Sequence, residues 1–168
     1  MNRLYSEELL AHANAPVHAS LPEQPTATAV LANPLCGDEI EVGIRVRDGV
    51  FDAVGFVGEA CAICVASASV MAQELTGQPV DAFERQFEAL ETVTRGEQIH
   101  DLPGSGLSVF ATLADFPSRK PCALLPWRVL ERALHVRTPP PRARTARDEH
   151  RGQQQQACPW QTIEDLRN

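Results

Sequence analysis

Hydrophobic and polar residues alternate strictly over one segment of the chain. The aliphatic residues from Ile40 to Val46 are separated by polar residues or glycine, and this period of two is typical of a β-strand with one buried face. Asp48-Gly49 follows as a strong turn signal, and the Val/Phe-rich run after it predicts the returning strand of a hairpin. The run "TATAVLANP" upstream predicts one more strand.

Helical spacing describes most of the remaining body of the chain. A first helix is expected in "LYSEELLAHANA", with Ser6 as its cap and Pro16 as its stop. Strands that precede most of the helices, instead of alternating with them, predict an α+β domain in which helices pack on a small three-stranded antiparallel sheet. The later helices are expected at Cys61–Leu75, ended by Gly77, and around 80–93, 107–114 and 122–135.

Charge divides the 168 residues into two parts. Residues 1–136 carry nine basic and eighteen acidic side chains, a balance of −9, and are expected to form a single domain. Residues 137–168 carry six arginines and four acids, a balance of +2, with a proline cluster and a glutamine run. This tail is expected to be disordered because it has too few apolar residues to offset its ordering entropy. Cys158 within it is expected to be a free thiol or part of a docking element.

The composition excludes several classes of protein. A net charge of −7 argues against a nucleic-acid binder, and the chain contains no apolar run of about 18 residues that could span a membrane. Its first residues lack the apolar segment of a secretory signal. A cytoplasmic, reducing location is therefore expected, where cysteines serve metals or chemistry more often than disulfides.

Three of the five cysteines are predicted to meet. Cys36 lies in the turn before the hairpin and Cys61 directly after it, so the hairpin brings them together. Cys122 opens the last helix, which must have just begun because Pro126 follows. Helix N-termini favour the thiolates of Cys61 and Cys122, and Asp38 adds a carboxylate. These four side chains suit a four-coordinate zinc or iron site.

Spacing alone leaves other interpretations open. Free cysteines are often simply buried, and an aspartate in a loop more often forms a turn or cap than a metal ligand. The segment "CAIC", Cys61 to Cys64, is also compatible with a redox pair, but such pairs belong beside a βαβ unit and this cysteine pair follows an antiparallel hairpin. Cys64 is therefore expected to be a buried neighbour of the site.

Three segments carry a resemblance to a known family. "NPLCGDEIEVGIRV", "GFVGEACAICVASASVMAQELTG" and "FPSRKPCALLPW" resemble, in order, the signature segments of the IscU/SufU family of iron–sulfur cluster assembly proteins. The resemblance covers roughly residues 4–134. The resemblance implies the fold of this family. Arg119 matches an arginine in the same segment of the family. The resemblance also implies the metal ligands Cys36, Asp38, Cys61 and Cys122.

Two features resemble the SufU-type branch of this family. IscU-type proteins have a histidine before the last cysteine where this chain has Pro121, and sixty residues separate Cys61 from Cys122 here. The resemblance then implies a tightly held zinc and a sulfur relay that works with a PLP-dependent cysteine desulfurase, not a stand-alone enzyme. Cys36 would receive persulfide sulfur when a side chain of the desulfurase takes its place on the metal.

Two other functions stay open. In the first, an iron–sulfur cluster is assembled on the same thiolates and passed on. In the second, from a different class, the site is an inert structural zinc module that mediates protein contacts. The chain also departs from the family at Ala60, where glycine is usual, and at Cys64, where serine is usual. Ala60 would be costly if that position required a positive φ.

Overall fold

A computed structural model describes residues 4–98 and 106–136 of the chain. The predicted disorder of residues 137–168 and the predictions for Cys158 lie outside the described residues.

The sheet has the predicted three antiparallel strands. They are β1 (Ala27–Asn33), β2 (Asp38–Arg47) and β3 (Val50–Glu59), in the order β1-β2-β3. The hairpin turn at Asp48 and Gly49 has φ values of 51° and 75°, the left-handed pair that a type I′ hairpin loop requires. The predicted fold class, an α+β domain with this sheet, is confirmed.

The described residues form four α-helices. They are α1 (Glu7–Asn14), α2 (Ala62–Leu75), α3 (Ala82–Thr94) and α4 (Lys120–His135). The side chain of Ser6 caps α1 as predicted, because its Oγ accepts a hydrogen bond from the Leu9 N–H at 3.1 Å. In the described parts of the chain, no helix is both long and apolar enough to cross a membrane.

Two helix predictions need correction. The segment predicted around 107–114 is a 3₁₀-helix, Gly106–Asp115, followed by a short one at Pro117–Arg119. The second 3₁₀-helix leads directly into α4, which therefore begins at Lys120, two residues before Cys122. Pro126 consequently lies inside α4 and not in its first turn, so the Cys122 carbonyl loses its usual i+4 donor. Burial of Pro126 in the core offsets that loss.

Helix α2 is buried along most of its length, and its small residues let the other helices approach closely. The fully buried Ser67 hydroxyl donates to the Ala123 carbonyl at 2.6 Å and accepts from Trp127 Nε1 at 3.1 Å. Ser69 accepts from the Val17 N–H and lies 3.0 Å from His12 Nδ1. These two hydroxyls tie α2 to α4 on one side and to the N-terminal segment on the other.

Replacement of Ser67 by alanine tests the contact between α2 and α4. The Ser67→Ala variant should lose about 2 kcal/mol in free energy of unfolding, because the Trp127 N–H and the Ala123 carbonyl would stay buried without a partner. Urea denaturation measures this value. Ser108→Ala, at an exposed position, is the control and should stay within about 0.5 kcal/mol of wild type. Equal midpoints for the two variants would show that the buried hydroxyl contributes nothing.

Candidate metal centre

Cys36 lies in the tight turn between β1 and β2, which Asn33 holds in place. The Asn33 carbonyl accepts from the N–H groups of Cys36 at 3.3 Å and Gly37 at 2.9 Å, and its Oδ1 accepts from the Leu35 N–H at 3.1 Å. Gly37 has a φ of +74°, which its missing side chain permits. The Cys36 thiol is thus presented, partly exposed, on a turn of defined shape.

Asp38 begins β2 and is buried, with both carboxylate oxygens engaged. Oδ2 accepts a hydrogen bond from the Cys36 thiol at 2.9 Å, and Oδ1 accepts one from the backbone N–H of Cys61 at 2.7 Å. Cys61 is the N-cap residue of α2, as predicted. The carboxylate therefore connects the β1–β2 turn to the start of α2.

Cys122 comes from the first turn of α4 and completes a compact cluster. Its Sγ is 3.7 Å from Cys36 Sγ, and the ligand atoms of Cys36, Asp38 and Cys122 all lie within 4.8 Å of one another. The sulfur of Cys61 is not a member of this group. Its thiol still interacts with the Asp38 carboxylate and the Cys122 thiol. The structure thus brings three of the four predicted ligands together and places the fourth at the edge of the group.

Burial dominates the electrostatics of the thiols. It raises the pKa of Cys61 and of Cys122 above the ordinary value, and the negative charge of neighbouring groups adds to both shifts. The thiolates expected from the helix N-termini therefore do not form through the helix dipole alone. For Asp38, burial also acts to raise the pKa, but hydrogen bonds from Cys36 and Cys61 outweigh it and hold the pKa below its ordinary value.

This donor set fits a metal ion. In a tetrahedral zinc site with bonds of about 2.3 Å, neighbouring sulfur atoms are about 3.8 Å apart, and Cys36 and Cys122 are separated by 3.7 Å. Several buried groups that are negative when deprotonated require a cation to compensate them. Thiolates with one carboxylate suit zinc or iron, so the geometry favours a transition-metal site without choosing the metal.

The two departures from the family pattern have structural answers. Cys64 is fully buried in α2, and burial raises the pKa of its thiol, so it packs as an apolar side chain outside the cluster. Ala60 has no positive φ, since the described non-glycine residues with that conformation lie elsewhere, at His18, Gln24 and Asp48. Alanine therefore causes no left-handed backbone strain at this position.

Two further residues lie near the site in the sequence. Arg119 is exposed at the N-cap of α4, three residues before Cys122, and its side chain forms no hydrogen bond or ion pair with any described residue. The sequence analysis missed Asn33, whose side chain and carbonyl shape the turn. The dipeptide Asn33-Pro34 was a signal for it, because asparagine side chains often bond to the backbone two residues later.

Comparisons with known proteins agree with this fold. Residues 4–136 match the family described as NifU-like N terminal domain. The iron-sulfur cluster assembly scaffold protein IscU of Thermotoga maritima is 31% identical over 131 residues, which cover 78% of this chain and 92% of that protein. The zinc-dependent sulfurtransferase SufU of Bacillus subtilis is 25% identical over 135 residues, covering 80% and 91%.

Solved structures show the same fold. The N-terminal part of a NifU-like protein from Brucella abortus superimposes with a TM-score of 0.73 at 23% identity, covering 80% of this chain and 94% of that one. A SUF-system cluster assembly scaffold protein, SufU, from Fervidobacterium islandicum superimposes with a TM-score of 0.72 at 26% identity. The match covers 78% of this chain and 96% of that one. Relatives of both branch names match, so these identities distinguish the SufU branch only weakly. The match over residues 4–136, together with the 31% identical relative, shows that the chain belongs to the family of NifU-like N-terminal domains that includes IscU and SufU.

Proposed function

We propose that this protein is a zinc-binding sulfur acceptor in iron–sulfur cluster assembly, which takes persulfide sulfur from a PLP-dependent cysteine desulfurase. The observation that carries the proposal is the position of Cys36, a partly exposed thiol on a turn, 2.9 Å from a buried carboxylate and 3.7 Å from a second thiol. The names of the relatives, a cluster assembly scaffold and a zinc-dependent sulfurtransferase, support the same process. The sulfur would pass on to a downstream scaffold or apo-protein.

The residues that would hold zinc are Cys36, Asp38, Cys61 and Cys122. Zinc has no redox activity, so when bound it would protect and orient the thiolates. Rotation of the Cys61 side chain, which already interacts with Asp38 and Cys122, would bring its sulfur into the group. Pro121 before the last cysteine and the sixty-residue separation support the SufU-type interpretation.

Cys36 is the thiol best placed to receive sulfur. Cys61 and Cys122 are fixed by α2 and α4, and Cys122 is buried, whereas Cys36 is on a loop and is partly exposed. A loop side chain can turn outward without disturbing a helix or its packing. Asp38 remains in place during that movement because its Oδ1 stays bonded to the backbone of Cys61.

The transfer itself needs no oxidant or reductant. The Cys36 sulfur attacks the outer sulfur of the donor persulfide, so one S–S bond forms as the donor's S–S bond breaks. The donor cysteine leaves as a thiolate, and its uptake of a proton balances the proton lost from the Cys36 thiol. Asp38 Oδ2 accepts the hydrogen bond from that thiol and so orients its sulfur.

A scaffold role is the second candidate. Cysteine thiolates are the usual ligands of iron–sulfur clusters, and the relatives named IscU are scaffolds. An inert structural zinc module has less support, because structural zinc sites are closed and Cys36 is partly exposed.

The purified protein should contain about one zinc per chain, because the buried thiols need a cation to become thiolates together. Cys122→Ser should lose most of this metal, since it removes a central sulfur. Cys64→Ser is the matched control and should keep it, because Cys64 is buried in the core. Elemental analysis measures the content. Metal-free wild type, with every thiol freely titratable, would refute the site, and metal loss in Cys64→Ser would make that residue a ligand.

The sulfur relay is tested with the full chain, a cognate cysteine desulfurase and cysteine. The chain should raise desulfurase turnover, and mass spectrometry should find one added sulfur on Cys36. Cys36→Ala should abolish both effects with the fold intact, while Cys64→Ala should stimulate as the wild type does. If the wild type neither stimulates the desulfurase nor gains sulfur on Cys36, the relay is wrong. Assembly of a cluster from iron and sulfide would then support the scaffold role, and failure of both would leave the structural zinc module.

A further inference from the structure

The sheet face that carries Gly43 and Gly55 is covered at one end and partly exposed at the other. The segment 17–22 lies against the strands at Gly43 and Gly55, so closely that a Cβ at Gly55 would overlap a backbone carbonyl oxygen of that segment. Towards the β1–β2 turn the same face carries side chains that the described residues leave partly exposed. Val30 is 48% exposed and Val57 is 38% exposed there, although strand valines are usually packed.

Carboxylates surround these two valines. Glu41 stands between Val30 and Val57 in the strand register, and in the next row Glu39 lies directly opposite Glu59. Like charges directly opposite on neighbouring strands destabilise a sheet. None of the three carboxylates forms an ion pair with any residue in the described ranges, and the arginines of β2 are paired with a different carboxylate. The fold thus retains an arrangement of charges that works against its own stability.

Leu35 lies in the β1–β2 turn, at the same end of the sheet and one residue before Cys36 of the candidate metal centre. It is 87% exposed, the largest exposure among the big hydrophobic residues that the structure describes. Its backbone is fixed, because the Leu35 N–H donates to Asn33 Oδ1. The leucine therefore stands outward on a shaped turn, one residue before Cys36, where it contributes little to the core.

We propose that the persulfide-bearing donor protein docks on this area through an apolar contact surrounded by basic residues. The area, which we call the sheet-end surface, comprises Val30, Leu35, Glu39, Glu41, Val57 and Glu59. The exposed apolar side chains supply the central contact, and the unpaired carboxylates match lysines or arginines on the partner. A second copy of this chain is disfavoured as the occupant because it would bring the same negative charges. The inference rests on the proposed function, and it adds where the donor binds.

Docking at this surface would also place the donor correctly. Leu35 and Cys36 are neighbours on one turn, so a partner seated on Leu35 has its own surface beside the acceptor thiol. A group transfer between two proteins requires the reacting sulfurs to be held together, and a contact adjacent to the acceptor provides this.

Desulfurase stimulation as a function of the concentration of the full chain tests the surface. Glu39→Lys should raise the concentration for half-maximal stimulation about tenfold, which corresponds to about 1.4 kcal/mol of binding. The Tm of this variant should equal or exceed that of wild type, because the introduced ammonium group would face Glu59 as an opposite charge. Leu35→Ser should raise the concentration for half-maximal stimulation by a similar factor. Its Tm should not fall, since the leucine is exposed. Maximal stimulation and zinc content should not change.

Glu88→Lys on α3 is the matched control, with the same change of charge at an exposed position on a helix that contributes no candidate ligand. Its concentration for half-maximal stimulation should stay within about twofold of the wild-type value. The concentration of wild type needed for half-maximal stimulation should also rise with ionic strength, because salt screens the attraction between the two proteins. If Glu39→Lys and Leu35→Ser both match wild type, the docking proposal is wrong while the relay stands.

Failure of the relay would be distinguishable from failure of the docking site. If the wild type does not stimulate the desulfurase, binding of the two proteins is measured by interferometry without cysteine. Weaker binding by both variants would still support the surface, and unchanged or absent binding would overturn it. Sedimentation of the chain alone should show a monomer. A wild-type dimer that Leu35→Ser dissociates would assign the surface to a second copy and would also overturn the proposal.

Discussion

The buried Asp38 carboxylate accepts one hydrogen bond from the turn between β1 and β2 and another from the N-cap of α2. Burial of a carboxylate is costly unless its oxygens are satisfied, and these bonds keep it ionised with a lowered pKa. The positions of Cys36 and Cys61 both depend on this one side chain. Replacement of Asp38 by alanine would leave the turn and the helix end without their shared acceptor, so the site is organised around this carboxylate before any metal arrives.

The third element of the site is positioned by helix packing. Ser67 bonds to the Ala123 carbonyl in the turn of α4 that carries Cys122, and Trp127 in the next turn bonds to the same hydroxyl. The indole ring also stacks on Phe83 and Phe87 of α3. The small residues of α2 therefore set the distance between α2 and α4, and through it the distance of Cys122 from Cys36. Packing in the core and chemistry at the surface are linked in this way.

Much of the fold and of the candidate site could be predicted from the pattern of residues. The predictions that were wrong share a physical cause. Alternation from Ile40 to Val46 and the turn at Asp48-Gly49 define the hairpin locally, so the approach of Cys36 to the Cys61 end followed from topology. Tertiary packing decided the rest. It keeps Pro126 inside α4, because burial compensates for a missing hydrogen bond, and it raises the pKa values of buried thiols that helix dipoles were expected to lower.

Some properties have no local pattern at all. A 3₁₀-helix and an α-helix share the i to i+3 spacing, so the spacing within Gly106–Asp115 does not distinguish the two kinds of helix. The pairing of Glu39 with Glu59 depends on the strand register, and the exposure of Val30 and Val57 depends on which part of the sheet another segment covers.

The central claim is that three thiolates and the Asp38 carboxylate form one metal site. X-ray absorption at the zinc edge of the isolated protein tests it most directly, because it counts sulfur and lighter ligands separately. We predict three sulfur neighbours at about 2.3 Å and one oxygen at about 2.0–2.2 Å, with the oxygen contribution altered in Asp38→Cys. Four sulfur neighbours in the wild type, or a shell of nitrogen and oxygen alone, would contradict this account.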